Sequence, residues 1–334
     1  MKEIEKNNAA AANSRPRRSL RPSGSAALFI AAAILLLYAV REWEYAGLRR
    51  NKTGEFAKLR EAFIEPHPCD LLIIGSSRAE CQFFPPVIDS ATGLKSFNIG
   101  MTGATMPFIR ASFEAYLENS PPPKYVVLNL DLHSFMDKPD TVYKFPRYFA
   151  YLSNEKLRNG LEEHDKRFAY FRWLPFYSMP YYGTHYLDAS IRGWLDKPGN
   201  YDSTYYSGFA PSERNSSLGN LDTLTIAPYY SIPQNYVGDN LDRITAICAA
   251  RKIQLIFVVS PLFHRWQESV LNYDSLIGKY SDYAKAHALV FLDFSNDPVR
   301  NDQSLYADPA HLSRAGAILF SRRFSPVLAQ YLQR

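Results

Sequence analysis

The chain has 334 residues, enough for one large domain with appendages, and 46% of them are hydrophobic, which provides an ample core. Its formal net charge of +5 is mild and lies largely in the first two dozen residues, so it does not indicate a nucleic-acid-binding protein. Three scattered cysteines exclude a disulfide framework and a cysteine zinc site. Cys69 and Cys81 flank one predicted strand and could pair in an oxidising compartment, although inert buried thiols are the ordinary case.

The amino-terminal segment predicts a polar tail followed by a membrane anchor. Residues 1–24 are polar, carry four arginines and cannot bury a core, so we expect a disordered cytoplasmic tail. Residues 25–45 are apolar as far as Val40 and include Trp43 and Tyr45, which suit a membrane–water interface. The basic residues before the apolar run favour a single pass through the inner (cytoplasmic) membrane, with an exported, periplasmic body. A cleaved signal peptide and a buried core helix are the alternatives, but no small-x-small cleavage site follows the apolar run.

Short apolar runs alternate with helical stretches through most of the remaining chain. Residues 46–67 predict a juxtamembrane helix, and the alternation occupies residues 68–334. Apolar runs of this length are typical of strands in a parallel sheet, because both faces of such a strand are covered. The pattern predicts an α/β domain with a sheet between layers of helices. The five predicted strands are residues 70–75, 95–99, 124–130, 253–259 and 289–293.

Residues 137–237 interrupt the alternation and predict an aromatic-rich insertion. Tyr, Trp, Pro, Asn and Ser dominate, and only residues 154–170 and 186–194 are typical of helix. A hundred residues without a strand–helix unit are too many for a plain loop, so we expect them to arch over the carboxyl edge of the sheet. The aromatic side chains either build a small core of their own, which we favour, or line a carbohydrate-binding groove.

Polar residues follow each predicted strand, and they would meet at one edge of a parallel sheet. Ser76 and Ser77 follow the first strand, and Asp308 and His311 follow the fifth, three residues apart on a turn. A serine hydroxyl becomes a nucleophile when a base takes its proton, and a carboxylate holds that base in its useful tautomer. These residues predict nucleophilic catalysis, with Ser76 better suited to capping the following helix. Other polar residues at the strand ends are Thr102, Gly103, Asp131, His133, Ser260 and His264.

Several residues near these strand ends allow other functional roles. Arg78 could hold a substrate carboxylate or phosphate with both arms of its guanidinium, or form an ordinary surface ion pair in the first turn of a helix. Asp131, His133 and His264 could ligate a metal together with His311, but no His-x-His or His-Glu-x-x-His spacing supports such a site. We therefore expect neither a metal nor a cofactor.

Three motifs resemble conserved blocks of the SGNH (GDSL-like) hydrolase superfamily. They match its first, second and fifth blocks, and the resemblance spans about residues 68–140 and 240–333, which hold the whole predicted sheet. Ser76 stands where the first block usually has an aspartate. The resemblance implies a flavodoxin-like three-layer sandwich with five parallel strands. The motifs are Gly75-Ser76-Ser77, Asn98-x-Gly100-x-x-Gly103 and Asp308-x-x-His311.

The resemblance also implies a role for each matching residue. Ser77 matches the nucleophile, His311 the base and Asp308 its orienting carboxylate. The backbone N–H groups of Ser77 and Gly103 would contribute to the oxyanion hole, which holds the negative charge that develops during the reaction. Asn129 stands close to the place of the asparagine of the third block, a side-chain donor to the same hole.

A serine at the second position of the first block, in a membrane-anchored chain, looks more like the envelope subset of this superfamily. That subset includes proteins similar to the D-alanine-transfer protein of teichoic-acid modification and to polysaccharide O-acetylation proteins. The resemblance implies a membrane-tethered extracytoplasmic serine esterase or O-acyltransferase that acts on acyl esters, above all acetyl esters, of an envelope glycan. A membrane-bound O-acyltransferase is then a candidate partner. The alternatives are a non-catalytic assembly or glycan-binding factor and a lipid esterase at the bilayer surface.

Overall fold

The computed structural model describes residues 24–132, 142–181, 183–196, 207–213, 219–231 and 239–332. The chain divides into two units, Met1–Val40 and Arg41–Arg334. Helix α1 (Gly24–Arg50) has 27 residues, so it is about 40 Å long at the ordinary helical rise. Its hydropathy and length are sufficient to cross a membrane, and only 6% of its most apolar window is buried. A signal sequence near an amino terminus has the same properties.

The body contains the predicted sheet of five parallel strands. Each of the five predicted strands is found within one or two residues of its expected bounds. The strand order is β2-β1-β3-β4-β5, which is the flavodoxin-like order, and it confirms the predicted α/β sandwich. The order reverses between β1 and β3, so ligands are expected beyond the carboxyl ends of these two strands. The strands are β1 (Leu71–Ile74), β2 (Ser96–Asn98), β3 (Tyr125–Asn129), β4 (Gln254–Val259) and β5 (Val290–Asp293).

Helices cover both faces of the sheet. Alternate side chains of β1 enter two different apolar clusters, Leu72 and Ile74 in one and Leu71 and Ile73 in the other. The first face is covered by α2 (Gly54–Phe63), α5 (Met106–Asn119), α10 (Asp239–Ala250) and α12 (Tyr273–Ala286). The second face is covered by α3 (Ser77–Gln82), α4 (Pro85–Thr92) and α13 (Arg314–Ala329).

The segment that follows the apolar run differs from the single juxtamembrane helix expected over residues 46–67. Helix α1 continues to Arg50, and α2 starts afresh at Gly54. Between them the Asn51 side chain accepts hydrogen bonds from the backbone N–H of Thr53 at 2.9 Å and from its hydroxyl, which favours a turn over helix. The amide of Asn51 also donates to the carbonyl oxygen of Ala189 at 2.8 Å. Helix α2 is therefore part of the body and contributes to its core.

Several aromatic residues in the described part of the insertion pack against one another. The Phe171 ring lies 4.3 Å from that of Phe149, 5.5 Å from that of Phe168 and 5.6 Å from that of Phe145, measured between centroids. Phe149, Phe168 and Phe171 belong to the apolar cluster on the first face of the sheet, so they extend the main core and do not build the separate small core that the sequence predicts. The insertion contains a 3₁₀ helix (Phe145–Tyr151), α6 (Glu155–His164), α7 (Arg167–Trp173), α8 (Pro175–Ser178) and α9 (Thr184–Trp194). The remaining α-helix and strands of the described residues are α11 (His264–Ser269), β6 (Tyr306–Asp308) and β7 (His311–Leu312).

Candidate active site

Ser77 lies at the carboxyl edge of the sheet, as the first residue of α3. The turn before it depends on Gly75, whose φ of +149° lies outside the range that L-amino acids favour. A Cβ at Gly75 would also come within 2.7 Å of the Ala79 side chain. Ser76 caps the helix, because its hydroxyl accepts a hydrogen bond from the backbone N–H of Arg78 at 3.4 Å. The turn thus projects Ser77 beyond β1.

Asp308 and His311 are carried by the two-stranded antiparallel hairpin β6–β7, where they form a cross-strand pair. One oxygen of the Asp308 carboxylate accepts hydrogen bonds from the backbone N–H groups of Ala310 at 2.8 Å and His311 at 3.1 Å. Such a bond from an aspartate to the backbone of its own turn is a frequent turn-forming contact. The Asp-x-x-His spacing therefore fixes the carboxylate beside the imidazole.

The structure brings Ser77, His311 and Asp308 into one hydrogen-bonded line. His311 Nε2 lies 2.8 Å from Ser77 Oγ, and His311 Nδ1 lies 2.8 Å and 2.9 Å from the two oxygens of Asp308. Burial alone would raise the pKa of Asp308, but the hydrogen bond to His311 and the histidine charge hold that pKa below its usual value. An ionised Asp308 accepts a hydrogen bond from Nδ1–H, so Nε2 is the nitrogen that can take the proton of Ser77.

Gly103 lies on the loop after β2, residues 100–103, which we call the oxyanion loop. Its φ is +74°, and a Cβ at this position would come within 2.4 Å of the Tyr143 side chain. Only glycine fits there without displacing a neighbour. The backbone N–H of Met101 donates to the carbonyl oxygen of Gly75 at 3.1 Å, which ties this loop to the turn before Ser77. Gly103 and Ser77 line the same cavity.

Asn129 and Arg78, the other two predicted binding residues, point into the protein. Asn129 is fully buried at the end of β3, and its side-chain oxygen accepts from the backbone N–H of Ser260 at 3.2 Å. It lines neither of the two cavities at Ser77. Arg78 Nη1 lies 2.9 Å from Asp131 Oδ1, while Nη2 donates to the carbonyl oxygen and hydroxyl of Ser260. The Arg78 side chain is only 6% exposed, so its guanidinium forms a buried ion pair and not the surface pair that we expected as the alternative to substrate binding. Arg78 also borders one of these two cavities.

Ser76 and the predicted metal candidates take other places. The Ser76 hydroxyl donates to Asp131, so it serves the Arg78–Asp131 network and does not face His311. His264 lies 3.6 Å from Asp222 and 3.3 Å from Glu268. His133 lies outside the described residues. Among the residues that the structure describes, no group of three or more His, Cys, Asp or Glu side chains could hold a metal ion.

Two cavities meet at Ser77 and His311. The first has a volume of about 610 Å³ and a wall in which charged side chains alternate with apolar surface. Its charged side chains include Glu55 of α2, Asp188 of α9 and Arg147 of the 3₁₀ helix. The second has a volume of about 410 Å³ and a mostly apolar wall. The apolar residues of the second wall include Met106, Ile109, Leu132, Leu262 and Trp266. An ester bound at Ser77 would therefore meet different surroundings on its two sides.

Sequence reasoning missed the charged residues behind the oxyanion loop. Lys58 and Glu80 form a buried ion pair with N···O 3.1 Å, and Arg147 donates to the carbonyl oxygen of Thr102 at 3.0 Å. Each of these residues stands in a predicted helix or in the insertion, where a charged residue is ordinary. Their partners are distant in sequence, so no local pattern reveals them.

Comparison with known proteins finds similar solved structures, each of low sequence identity to this chain. No family model matches the chain, and no curated protein matches it. The chain is similar to a candidate acylhydrolase from Bacteroides fragilis, with 12% identity and a TM-score of 0.41 over 81% of this chain and 94% of the other. It is similar to a GDSL-like lipase from Bacteroides thetaiotaomicron, with 12% identity and a TM-score of 0.39 over 86% and 98%. It is also similar to a candidate lipolytic protein of the G-D-S-L family from Desulfitobacterium hafniense, with 13% identity and a TM-score of 0.37 over 77% of this chain and 98% of the other.

Proposed function

We propose that the chain is a serine ester hydrolase or acyltransferase with Ser77 as nucleophile, His311 as general base and Asp308 as its orienting carboxylate. The observation that carries the proposal is the continuous line Ser77 Oγ–His311 Nε2 at 2.8 Å and His311 Nδ1–Asp308 Oδ2 at 2.8 Å. At these distances His311 can form hydrogen bonds to Ser77 and Asp308 at the same time, as both proton transfers of acyl transfer require.

The reaction follows from this geometry in two halves. His311 takes the Ser77 proton while Oγ attacks the ester carbonyl, and the backbone N–H groups of Ser77 and Gly103 stabilise the oxyanion. The tetrahedral intermediate collapses, His311 protonates the departing alcohol, and the acyl group stays on Ser77. In the second half, His311 deprotonates water or an acceptor hydroxyl, which attacks the acyl-enzyme and releases Ser77.

The two cavities support an ester with an apolar acyl group and a polar alcohol. The side chains of Met106, Leu132 and Leu262 in the second cavity suit the acyl group because they are apolar. Arg78 and Asp131 also border this cavity, but they pair with each other. The charged side chains of the first cavity offer hydrogen-bond donors and acceptors of the kind that hydroxyl-rich alcohols require. The proposed substrate is accordingly an acyl ester, above all an acetyl ester, of an envelope glycan.

Acceptor competition tests whether the enzyme is a hydrolase or a transferase. The full-length protein in detergent is given a chromogenic acetyl ester, first in buffer and then with soluble glycan oligosaccharides as acceptors. A transferase should release chromophore faster with acceptor and should yield acetylated oligosaccharide by mass spectrometry, because the acceptor hydroxyl competes with water for the acyl-enzyme. Acetate as the sole product at every acceptor concentration would identify a hydrolase.

A non-catalytic envelope factor, partnering a membrane-bound O-acyltransferase, is the second candidate function. The observation that favours it is the position of Asn129, which lines neither cavity at Ser77 and so supplies no side-chain donor to the oxyanion. Complementation of a deletion strain separates the candidates. Restoration of the phenotype by both Ser77→Ala and His311→Ala would favour the binding factor.

We also propose that α1 anchors the chain in the membrane, with the body outside the cytoplasm. The part of α1 that belongs to the body carries Trp43, three residues after the apolar run. The rings of Trp43 and Trp194 stack with centroids 6.2 Å apart, and Trp194 Nε1 donates to the Trp43 carbonyl oxygen at 2.9 Å. Trp173 is 64% exposed at the end of α7, close to Arg41, whose guanidinium donates to the carbonyl oxygen of Arg172. These three exposed tryptophans would form an aromatic collar at the level of the bilayer interface.

Tryptophan fluorescence in brominated lipids tests the anchor and its collar together. The chain has four tryptophans, so single-tryptophan variants can be made with phenylalanine at the other three positions. In nanodiscs with bromine near the head groups, Trp43, Trp173 and Trp194 should be quenched because they lie at the interface. Trp266 lines the second cavity at the active site and serves as the control that should keep its fluorescence. Equal quenching of Trp194 and Trp266 would contradict the collar.

A further inference from the structure

We propose that Lys58 and Glu80 are positioning residues that hold the oxyanion loop at a fixed distance from Ser77. The inference rests on the proposed function, since it assigns a task to groups that support the same site. Lys58 lies on α2, outside all three motifs, and Glu80 lies on α3, three residues after Ser77. Neither residue belongs to the triad.

Side chains hold the oxyanion loop at two points, Gly100 and Thr102. Lys58 Nζ donates to the carbonyl oxygen of Gly100, at the start of the loop, and to Glu80 Oε1 at 3.1 Å. The other carboxylate oxygen of Glu80 accepts from the backbone N–H of Thr102 at 2.7 Å and from the Thr102 hydroxyl. Gly103, the proposed oxyanion donor, is the next residue. One ion pair therefore fixes the loop before and beside the proposed donor.

Glu80 links this loop directly to the nucleophile. Its backbone N–H donates to the carbonyl oxygen of Ser76 at 3.0 Å, within the first turn of the helix that starts at Ser77. The two backbone donors of the oxyanion hole thus belong to two segments joined by one carboxylate. A displacement of about 1 Å between a donor and the reacting atom can cost about 100-fold in rate, so such a link has catalytic value.

The electrostatics of the pair favour a positioning role over a purely stabilising one. Lys58 is 1% exposed and Glu80 is 9% exposed. Burial would raise the pKa of Glu80, but the charge of Lys58 and the hydrogen bond from Thr102 hold that pKa below its usual value. Buried ion pairs often stabilise a fold no better than apolar residues of the same volume. An apolar residue could not replace the Glu80 carboxylate, because the carboxylate accepts a hydrogen bond from the backbone N–H of Thr102.

A second cation holds the same loop from the insertion. Arg147, which is 4% exposed, donates to the carbonyl oxygen of Thr102 at 3.0 Å and lies 3.5 Å from Glu55 of α2. The two cations that contact the loop carbonyls therefore come from α2 and from the 3₁₀ helix of the insertion. Both of these parts of the body lie outside the residues that the motif resemblance covers, and in this proposal both support the active site.

The test compares Lys58→Met and Glu80→Gln with a matched control in the full-length protein. Arg110→Met is the control, because Arg110 is also a buried cation, lies 3.0 Å from Glu114 and 2.6 Å from Glu163, and lines neither cavity. For the chromogenic ester we expect kcat to fall about 10- to 100-fold in the two test variants, with KM changed less than about threefold, as for a displaced oxyanion donor. Lys58→Arg should recover part of kcat.

The possible results of this test distinguish failure of the positioning role from failure of the proposed function. If Lys58→Met does not fold, Glu80→Gln still gives the measurement. It keeps the side-chain volume, removes the charge and replaces one of the two oxygens that accept from Lys58 and Thr102 by an NH2 donor. The positioning role would be overturned if Lys58→Met and Glu80→Gln lost thermal stability but kept the same kcat as the Arg110→Met control. Wild-type protein with no ester cleavage and no acyl-enzyme would instead overturn the proposed function, and with it the inference.

Discussion

Replacement of Ser77 by alanine is expected to reduce kcat for ester cleavage by about 10⁴-fold or more. The variant lacks the oxygen that forms the acyl-enzyme, so only the oxyanion donors and substrate binding remain to accelerate attack by water. Turnover of the chromogenic acetyl ester measures the loss. Mass spectrometry of rapidly acidified protein should detect an acyl increment on the peptide that contains Ser77 in the wild type and none in the variant.

Ser76→Ala provides the matched control, since it removes a hydroxyl one residue away. The Ser76 hydroxyl donates to Asp131 and faces the Arg78 network, so its loss should lower kcat by less than about tenfold. Equal and large losses in the two variants would show that disruption of the turn, and not loss of a nucleophile, causes the effect. Unchanged turnover in Ser77→Ala would refute the catalytic role of this serine.

The sheet could be predicted from the sequence because its signal is local. In β4, five of six residues are buried, and the apolar run at residues 253–259 contains them. Such a run needs no information from the rest of the chain. The boundary between α1 and α2 could not be predicted in the same way. It depends on Asn51, whose amide donates to the carbonyl oxygen of Ala189, 138 residues later in the chain.

The same difference between local and distant contacts applies to the candidate site. Asp308 and His311 could be paired from the sequence, because they stand only three positions apart on one turn. Lys58 contacts Glu80 across 22 residues and Gly100 across 42, and these residues meet only once α2 packs beside the sheet. Spacing in the sequence does not encode such contacts, so the support of the oxyanion loop emerges only from the folded structure.

The role of Arg78 shows where residue chemistry alone leaves two interpretations open. A guanidinium beside a nucleophile suits an anionic substrate, and it equally suits a carboxylate of the protein. The sequence does not decide, because Asp131 follows a different strand. In the structure, Arg78 joins the carboxyl ends of β1, β3 and β4 through Asp131 and Ser260.

Arg78→Met is accordingly expected to lower the free energy of unfolding by about 3–5 kcal/mol, because it leaves the buried Asp131 carboxylate without its cation. Urea denaturation followed by circular dichroism measures the change. The double variant Arg78→Met/Asp131→Asn removes both charges and should recover part of the loss, since no unpaired buried charge remains. If Arg78 instead binds an anionic substrate, Arg78→Met should keep the wild-type midpoint and raise KM. The ion pair distances favour the first result, in which Arg78 and Asp131 hold the strand ends that position Ser77.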